Sequence, residues 1–252
     1  MRIVKIPKRS GGYRTVVCPS KKIKNLLRKQ IPALTELCLA LDVDEVMHGF
    51  LPGRSPVTNA KRHIGYRWTV SFDLSDFFDH VTATHLLAAT LRGGWSSYLY
   101  PDGPGGRAAQ GLPTSPVIAN IAASSLDKAL AGRAEAYTRY ADDMTFSTND
   151  RDVVDQLIRE VPGVCSSLRL PVNKRKTKIQ NSTSGRREVT GVMVGEDSLY
   201  IPRAIKRRIR AAQNQSNVPQ ERGLREWAKL KMPCPHNSCW ISGMEKLYEV
   251  TK

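Results

Sequence analysis

The sequence predicts an α+β fold, and three observations carry that reading. Strand-like runs of alternating apolar residues recur from the N-terminus to about residue 200. Capped, one-faced helical patterns are mixed among them. Hydrophobic residues make up 40 % of the 252, enough for a packed core. The length suits one large domain or two to three small subdomains sharing an interface.

Each element follows from a local pattern. Residues 1–18 read as a hairpin. Arg2-Ile3-Val4-Lys5-Ile6 alternates, Ser10-Gly11-Gly12 turns, and residues 13–17 return. Ser20 caps a helix with Ile23, Leu26 and Leu27 on one face and Lys21, Lys22, Lys24, Arg28 and Lys29 on the other. Pro32 interrupts that pattern, so a second short helix is expected through Leu41. Residues 67–73 form a buried strand, and residues 82–92 a helix ended by Gly93-Gly94. A glycine- and proline-rich loop covers 93–109. The helix over 113–132 carries Ala119, Ala122, Ala123 and Ser124, small enough for close packing on a sheet. Residues 137–147 give two short strands around an acidic turn. A helix over 153–168 follows, with a bend expected at Pro162-Gly163. Residues 189–194 and 198–201 form a further hairpin, and from Pro202 onward the pattern is helical and basic.

Charge narrows the function class. Thirty-nine Lys and Arg against 23 Asp and Glu give a net +16. Such a field attracts polyanions and releases their counterions, so nucleic acid is the first partner to consider and an acidic membrane surface the second. No run of 18 apolar residues exists to span a membrane, and the first residues hold no apolar block of signal-peptide length. The five cysteines are odd in number and scattered, which predicts a reducing, cytoplasmic setting rather than a disulfide framework. Cys234 and Cys239 enclose His236 and could supply part of a metal site, but no second ligand pair accompanies them.

Three carboxylates carry the chemistry. Asp73 ends a hydrophobic strand, and Asp142 and Asp143 sit side by side in Tyr140-Ala141-Asp142-Asp143 between β-prone stretches. Adjacent carboxylates repel and want a cation, and all-oxygen ligands select a hard one such as Mg²⁺. A lone Asp-Asp pair is more often a solvated turn. Here it follows Phe72-Asp73-Leu74-Ser75-Asp76-Phe77-Phe78-Asp79 and Gln110-Gly111-Leu112-Pro113-Thr114-Ser115-Pro116. In that order and spacing the three segments resemble motifs A, B and C of the reverse transcriptases.

The resemblance implies a right-hand polymerase fold. Fingers would span 1–66, palm 67–92 and 110–200 with a connecting loop at 93–109, and a helical thumb 201–252. It implies two Mg²⁺ ions held by Asp73 and Asp142 with electrostatic help from Asp143, and deoxynucleoside triphosphates as substrates. Phe78 matches the ring that excludes a 2′-hydroxyl, and alternating strand-like directions would turn one of Phe77 and Phe78 inward. The backbone N–H groups of Asp76 and Phe77 would contact the triphosphate, and Gln110 would seat the nucleotide. Gly111 would permit close backbone approach. Ala108-Ala109 departs from the Leu-Pro more usual before the glutamine. Lys8 and Arg14, on the first hairpin, would neutralise the β and γ phosphates. In Leu170-Pro171-Val172-Asn173-Lys174-Arg175-Lys176-Thr177, which resembles motif D, Lys176 would protonate departing pyrophosphate or grip phosphate.

Two shorter segments narrow the branch. Asn59-Ala60-Lys61-Arg62-His63 and Val189-Thr190-Gly191 resemble signatures of bacterial retron reverse transcriptases. His48-Gly49-Phe50 and Gly53-Arg54-Ser55 are also similar to that pattern. The branch implies a cognate structured noncoding RNA, its branched DNA product, a possible separate effector protein and a role in defence against phage. Asn59, His63, Val189, Thr190 and Gly191 are then expected at the RNA, together with Arg203, Arg207 and Arg210. Ile201, Ile205 and Ile209 form an apolar stripe beside those arginines, expected to pack on the palm. Trp227, Trp240 and Tyr248 could stack bases or fill a thumb core. The first motif begins almost at residue 1, where retron enzymes usually carry extra helices, so a compact or shortened version is expected. Rival readings are a reverse transcriptase of the group II intron or abortive-infection type, and a scaffold that binds RNA without catalysis.

Overall fold

The structure, a computed structural model, describes residues 2–8, 11–43, 45–99 and 106–230. Strands β1 (Arg2–Pro7) and β2 (Tyr13–Cys18) form the expected N-terminal hairpin in antiparallel register. Helix α1 (Lys21–Leu39) follows, with Ser20 at the N-cap position but no side-chain capping bond. The helix runs unbroken through Pro32, against the expectation of two helices. Leu34 and Cys38 lie beyond the proline and are buried in the main core, where α1 packs on the helix Ser115–Leu130. Burying a leucine side chain contributes about 1.5–3 kcal/mol, and a cysteine less. Together they offset the ~3 kcal/mol that an interior proline costs. The short α2 (Pro56–Lys61) is opened by a Ser55–Thr58 capping box.

Strand β3 (Trp68–Asp73) leads into a single turn of helix, α3 (Phe77–His80), through Asp76 at φ 41°. Helix α4 (Ala83–Thr90) stops at Leu91, whose φ of 55° ends it before the glycines. Helix α5 (Ser115–Leu130) is buried almost all round, including its four small residues. Strands β4 (Ala136–Tyr140) and β5 (Asp143–Thr148) form the acidic hairpin. Helix α6 (Arg151–Ser167) retains Pro162 in its interior.

Strand β6 (Lys178–Asn181) completes a four-stranded antiparallel sheet of order β4-β5-β3-β6. One face, with Val70, Phe72, Tyr137, Met144 and Phe146, joins the main core with α5 and α6. The other is polar. At one end of it Thr69, Thr138 and Ser147 are buried beneath α2 and a second sheet; at the other lie Ser71, Asp73, Asp143 and Thr145.

That second sheet joins β7 (Arg187–Val189), β8 (Val192–Val194) and β9 (Leu199–Tyr200). Residues 189–194 are thus not one strand. Thr190 and Gly191, at φ 45° and 77°, turn the chain between β7 and β8. Helix α7 (Arg203–Asn214) packs chiefly on α8 (Val218–Ala228) rather than on the sheet as expected, with Ile205 and Ile209 half-buried and Ile201 outside the helix. Trp227 is exposed and belongs to no core cluster among the described residues. Trp240, Tyr248, Cys234, His236 and Cys239 lie outside the described residues. No helix among the described residues is long and apolar enough to cross a membrane.

Candidate active site

Strand pairing brings the acids together. Asp73, the last residue of β3, stands opposite Asp143, the first of β5. Residues so paired in antiparallel strands lie on one face with their Cβ atoms roughly 4.5–5.5 Å apart. Leu74 N–H donates to the Asp142 carbonyl at 2.9 Å, so Asp142 is fixed beside them. The tight turn requires Ala141 at φ 58°. A third segment closes in from residues 171–176. Asn173 N–H donates to the Asp73 carbonyl at 2.7 Å, and Lys176 Nζ reaches Asp73 Oδ2 at 2.9 Å.

The acids face two cavities. Asp73 and Asp142 line one of about 940 Å³, whose other walls include Lys8, Arg14, Phe78 and Gln110. Asp73 and Asp143 line a smaller one of about 250 Å³, bounded by Lys178, Glu188, Thr190 and Gly191. The larger falls within the roughly 300–1,000 Å³ range of small-molecule sites.

Electrostatically the cluster is short of positive charge. Burial, and then repulsion from Asp73, raises the Asp142 carboxyl above its usual range. Asp143 is pushed up to about 6 by desolvation, with Asp142 and Asp73 adding to it. Its side chain is open to the smaller cavity. Water reaches the group there, and the two neighbouring carboxylates keep its proton affinity high. Lys176 answers this field: its bond to Asp73 raises its pKa and holds it protonated.

Among the described residues, no three His, Cys, Asp or Glu side chains are arranged to hold a metal ion as they stand. The donor set still fits a hard cation of one kind. Mg²⁺ binds through one or two carboxylates and takes its remaining oxygens from water and substrate phosphate. Asp73 and Asp142 on one cavity wall offer that pair, with the Lys176 ammonium at Asp73 marking where positive charge is favoured.

The rings and cations expected around a nucleotide share the larger cavity. Phe77 is buried and Phe78 half-buried in the cavity wall. One ring is in and one out as expected, but on a helical turn, not a strand. Lys8 pairs with Asp76 at 2.8 Å, which holds Asp76 below the usual carboxylate range. Asp76 is exposed and Lys8 half-buried, so water screens the pair and it adds little stability. It leaves Lys8 available to a more highly charged anion. The hairpin bearing Lys8 and Arg14 is anchored by Val17 N–H, which donates to the Gln110 carbonyl at 2.8 Å. Gly111, at φ 102°, lies so close that a Cβ there would sit 2.2 Å from the Val17 carbonyl oxygen. The close approach expected of this glycine is to the hairpin. Ala108 and Ala109 are buried beside it.

The residues expected at RNA divide into two sets. Arg203, Arg207 and Arg210 are exposed on α7, and Thr190 and Gly191 line the smaller cavity. Asn59, His63 and Val189 are buried, with exposures of 0 %, 0 % and 1 %, which corrects the expectation that they touch a ligand directly. His63 Nδ1 bonds Ser147 Oγ at 2.9 Å and Nε2 bonds Thr138 Oγ1 at 2.7 Å, tying the segment after α2 to the sheet. Asn59 Nδ2 donates to Thr190 Oγ1 at 3.2 Å. The two short signatures thus meet, and the first supports the turn of the second.

Sequence reasoning passed over Asn120, Asp127 and Arg139, which are buried behind the acidic turn. A signal was present. An acid in the middle of an apolar helix and an arginine on a buried strand each need a partner, and each is the other's.

The arrangement of this sheet, with its acids at a central hairpin, is that of reverse transcriptase-fold polymerases. A telomerase structure from Candida albicans, in complex with a fragment of telomeric RNA, matches with a TM-score of 0.56 at 14 % identity, covering 79 % of this chain and 46 % of that one. A foamy viral protease-reverse transcriptase in complex with double-stranded DNA matches at 0.53 and 14 %, covering 82 % and 31 %.

The chain belongs to the family described as reverse transcriptase (RNA-dependent DNA polymerase), which matches residues 6–194. Within it, the similarity is to bacterial retron enzymes. The Retron Mx65 reverse transcriptase of Myxococcus xanthus is 34 % identical over 83 % of this chain and 54 % of its own. The Retron Mx162 enzyme of the same organism is 34 % identical over 82 % and 50 %. The Retron Ec83 enzyme of Escherichia coli is 29 % identical over 82 % and 73 %. The chain spans about half the length of the two Myxococcus relatives.

Proposed function

We propose that this chain is the polymerase of a retron, copying part of a cognate structured noncoding RNA into DNA. The observation that carries this reading is that Asp73 and Asp142 line one cavity together with Lys8, Arg14 and Phe78. In this reading residues up to 66 act as fingers, the four-stranded sheet as palm and the chain from 201 as thumb.

Asp73 and Asp142 hold the divalent cations, and Asp143 adds negative charge from the neighbouring cavity. Bound there, two Mg²⁺ ions would activate the attacking hydroxyl and stabilise the leaving oxygen. The chain's own residues do the positioning. Lys8 and Arg14 neutralise the β and γ phosphates, while the N–H groups of Asp76 and Phe77 contact the triphosphate. Gln110 seats the nucleotide, and the Phe78 ring, in the wall of the same cavity, would exclude a 2′-hydroxyl and offer it no hydrogen-bond partner. The 3′-hydroxyl of the growing strand attacks the α-phosphate and pyrophosphate leaves. Lys176, which bonds Asp73 at 2.9 Å, would hold the proton for it once Asp73 binds a cation instead. Similarity to retron enzymes supports priming from a 2′-hydroxyl of the RNA, a branched multicopy DNA product, and a defensive role with a separate effector protein. Thr190, Gly191 and the α7 arginines contact the RNA, and Asn59, His63 and Val189 support that contact from beneath.

The test is RNA-templated primer extension by the purified chain. Wild type is expected to extend with deoxynucleotides when Mg²⁺ is supplied. Asp142→Ala with Asp143→Ala is expected to lose at least about 10³-fold in rate while retaining RNA binding. Full activity in the double variant would remove the site assignment. Sequencing nucleic acid co-purified from cells tests the retron reading, which expects a short DNA branched from RNA.

A further inference from the structure

Arg139, on β4, is fully buried, and its guanidinium reaches several supports of the site at once. Nη1 donates to the Ala141 carbonyl at 3.0 Å, within the acidic turn. The same nitrogen donates to Asn120 Oδ1 at 3.0 Å. The guanidinium carbon lies 6.0 Å from the centroid of Phe77, whose ring is 5.7 Å from that of Phe78. Nε and Nη2 are held by the Asp127 carboxylate at 2.9 and 2.7 Å.

Asn120 extends the network. Its Nδ2 donates to the Gly49 carbonyl at 2.8 Å. Gly49 packs so tightly on the turn that a Cβ would meet Ala141 N at 2.6 Å. The next residue, Phe50, sits at φ 61° and lines the larger cavity, its ring 6.4 Å from that of Phe78. Both aromatic walls and the acidic turn therefore connect to one guanidinium.

We propose that Arg139, oriented by Asp127 and extended by Asn120, is a positioning residue that locks the acidic turn and the Phe50–Phe78 wall into one geometry. Carboxylate placement and sugar selection are then set together. The inference rests on the polymerase reading above. Two physical points favour it over a purely structural ion pair. A buried ion pair is seldom more stabilising than apolar residues of the same volume, so its value lies in geometry. The planar fork of arginine also satisfies acceptors in three directions, which a lysine ammonium cannot do in the same fixed arrangement.

The test measures kcat/KM for a deoxynucleotide and for the matching ribonucleotide on one RNA template. It compares wild type, Asn120→Ala and Arg139→Lys, with Phe78→Ala as the reference for a lost gate. The deoxy-over-ribo ratio does not depend on how much of a variant is folded. It is expected to fall about ten-fold or more in Asn120→Ala and Arg139→Lys, together with kcat for the deoxynucleotide. Should Arg139→Lys fail to fold, Asn120→Ala decides alone, because it leaves the Arg139–Asp127 pair in place. A ratio within about two-fold of wild type, even with both rates reduced, would overturn the inference while the polymerase reading stands. A wild type that incorporates neither nucleotide would overturn both.

Discussion

At the scale of single residues, titration works in two opposite directions. His63 is buried and neutral, its pKa lowered to about 3 by burial and by nearby positive charge, and His48 is lowered in the same way to about 4. Between those values and the ordinary 6.5, the unfolded chain binds more protons than the folded one. These two residues therefore withdraw stability as pH falls through that window. Asp143 behaves oppositely. With its folded value near 6, above the unfolded 3.8, the native state binds the extra proton, and its contribution declines as pH rises from 4 to 6. The expectation for His63→Gln is a lower melting temperature than wild type at pH 7.5, with a gap that narrows toward pH 4. Parallel melting curves across that range would remove His63 from the account. For the acids the consequence is proton–cation competition. Mg²⁺ should raise the melting temperature more at pH 7.5 than at pH 5, and equal shifts at both would count against the carboxylates as its ligands.

At the scale of elements, the docking of the first hairpin depends on Gly111. A methyl group there would meet the Val17 carbonyl at 2.2 Å and would also strain a φ of 102°. Gly111→Ala is expected to cost about 1–3 kcal/mol and to raise KM for the nucleotide, because Lys8 and Arg14 move with β2. Unchanged stability and KM, read from urea unfolding and steady-state kinetics, would contradict that. Most elements were legible from the chain itself. The hairpins announced themselves by alternation and glycine, and α5 by its small residues. The elements misread are those where tertiary packing overrides a local rule. Pro32 stays helical because Leu34 and Cys38 are buried beyond it. Phe77 and Phe78 turn helical because Asp76, at φ 41°, redirects the chain after β3. Residues 189–194 read as one strand because Thr190 gives no turn signal of its own. In the candidate site, the meeting of Asp73, Asp142 and Asp143 was legible by residue type and order. That of Arg139, Asn120 and Asp127 was not, since only folding shows it.

At the scale of the whole molecule, an antiparallel sheet with one apolar and one polar face explains how distant segments share a site. The apolar face buries Val70, Phe72, Met144 and Phe146 against α5 and α6. That packing sets the register, since a one-residue slip would exchange the faces. The register in turn sets Asp73 opposite Asp143. The basic excess of the chain, a net +16, favours association with an acidic polymer. The most direct test of the cation site is iron-mediated cleavage of the purified chain. Fe²⁺ substituted for Mg²⁺, with ascorbate and peroxide, cuts the backbone beside the bound ion. Paired cuts are expected around residue 73 and around residues 141–143, suppressed by excess Mg²⁺ and lost in Asp73→Asn. Cleavage confined elsewhere, or indifferent to Mg²⁺ and to that substitution, would contradict the cation site.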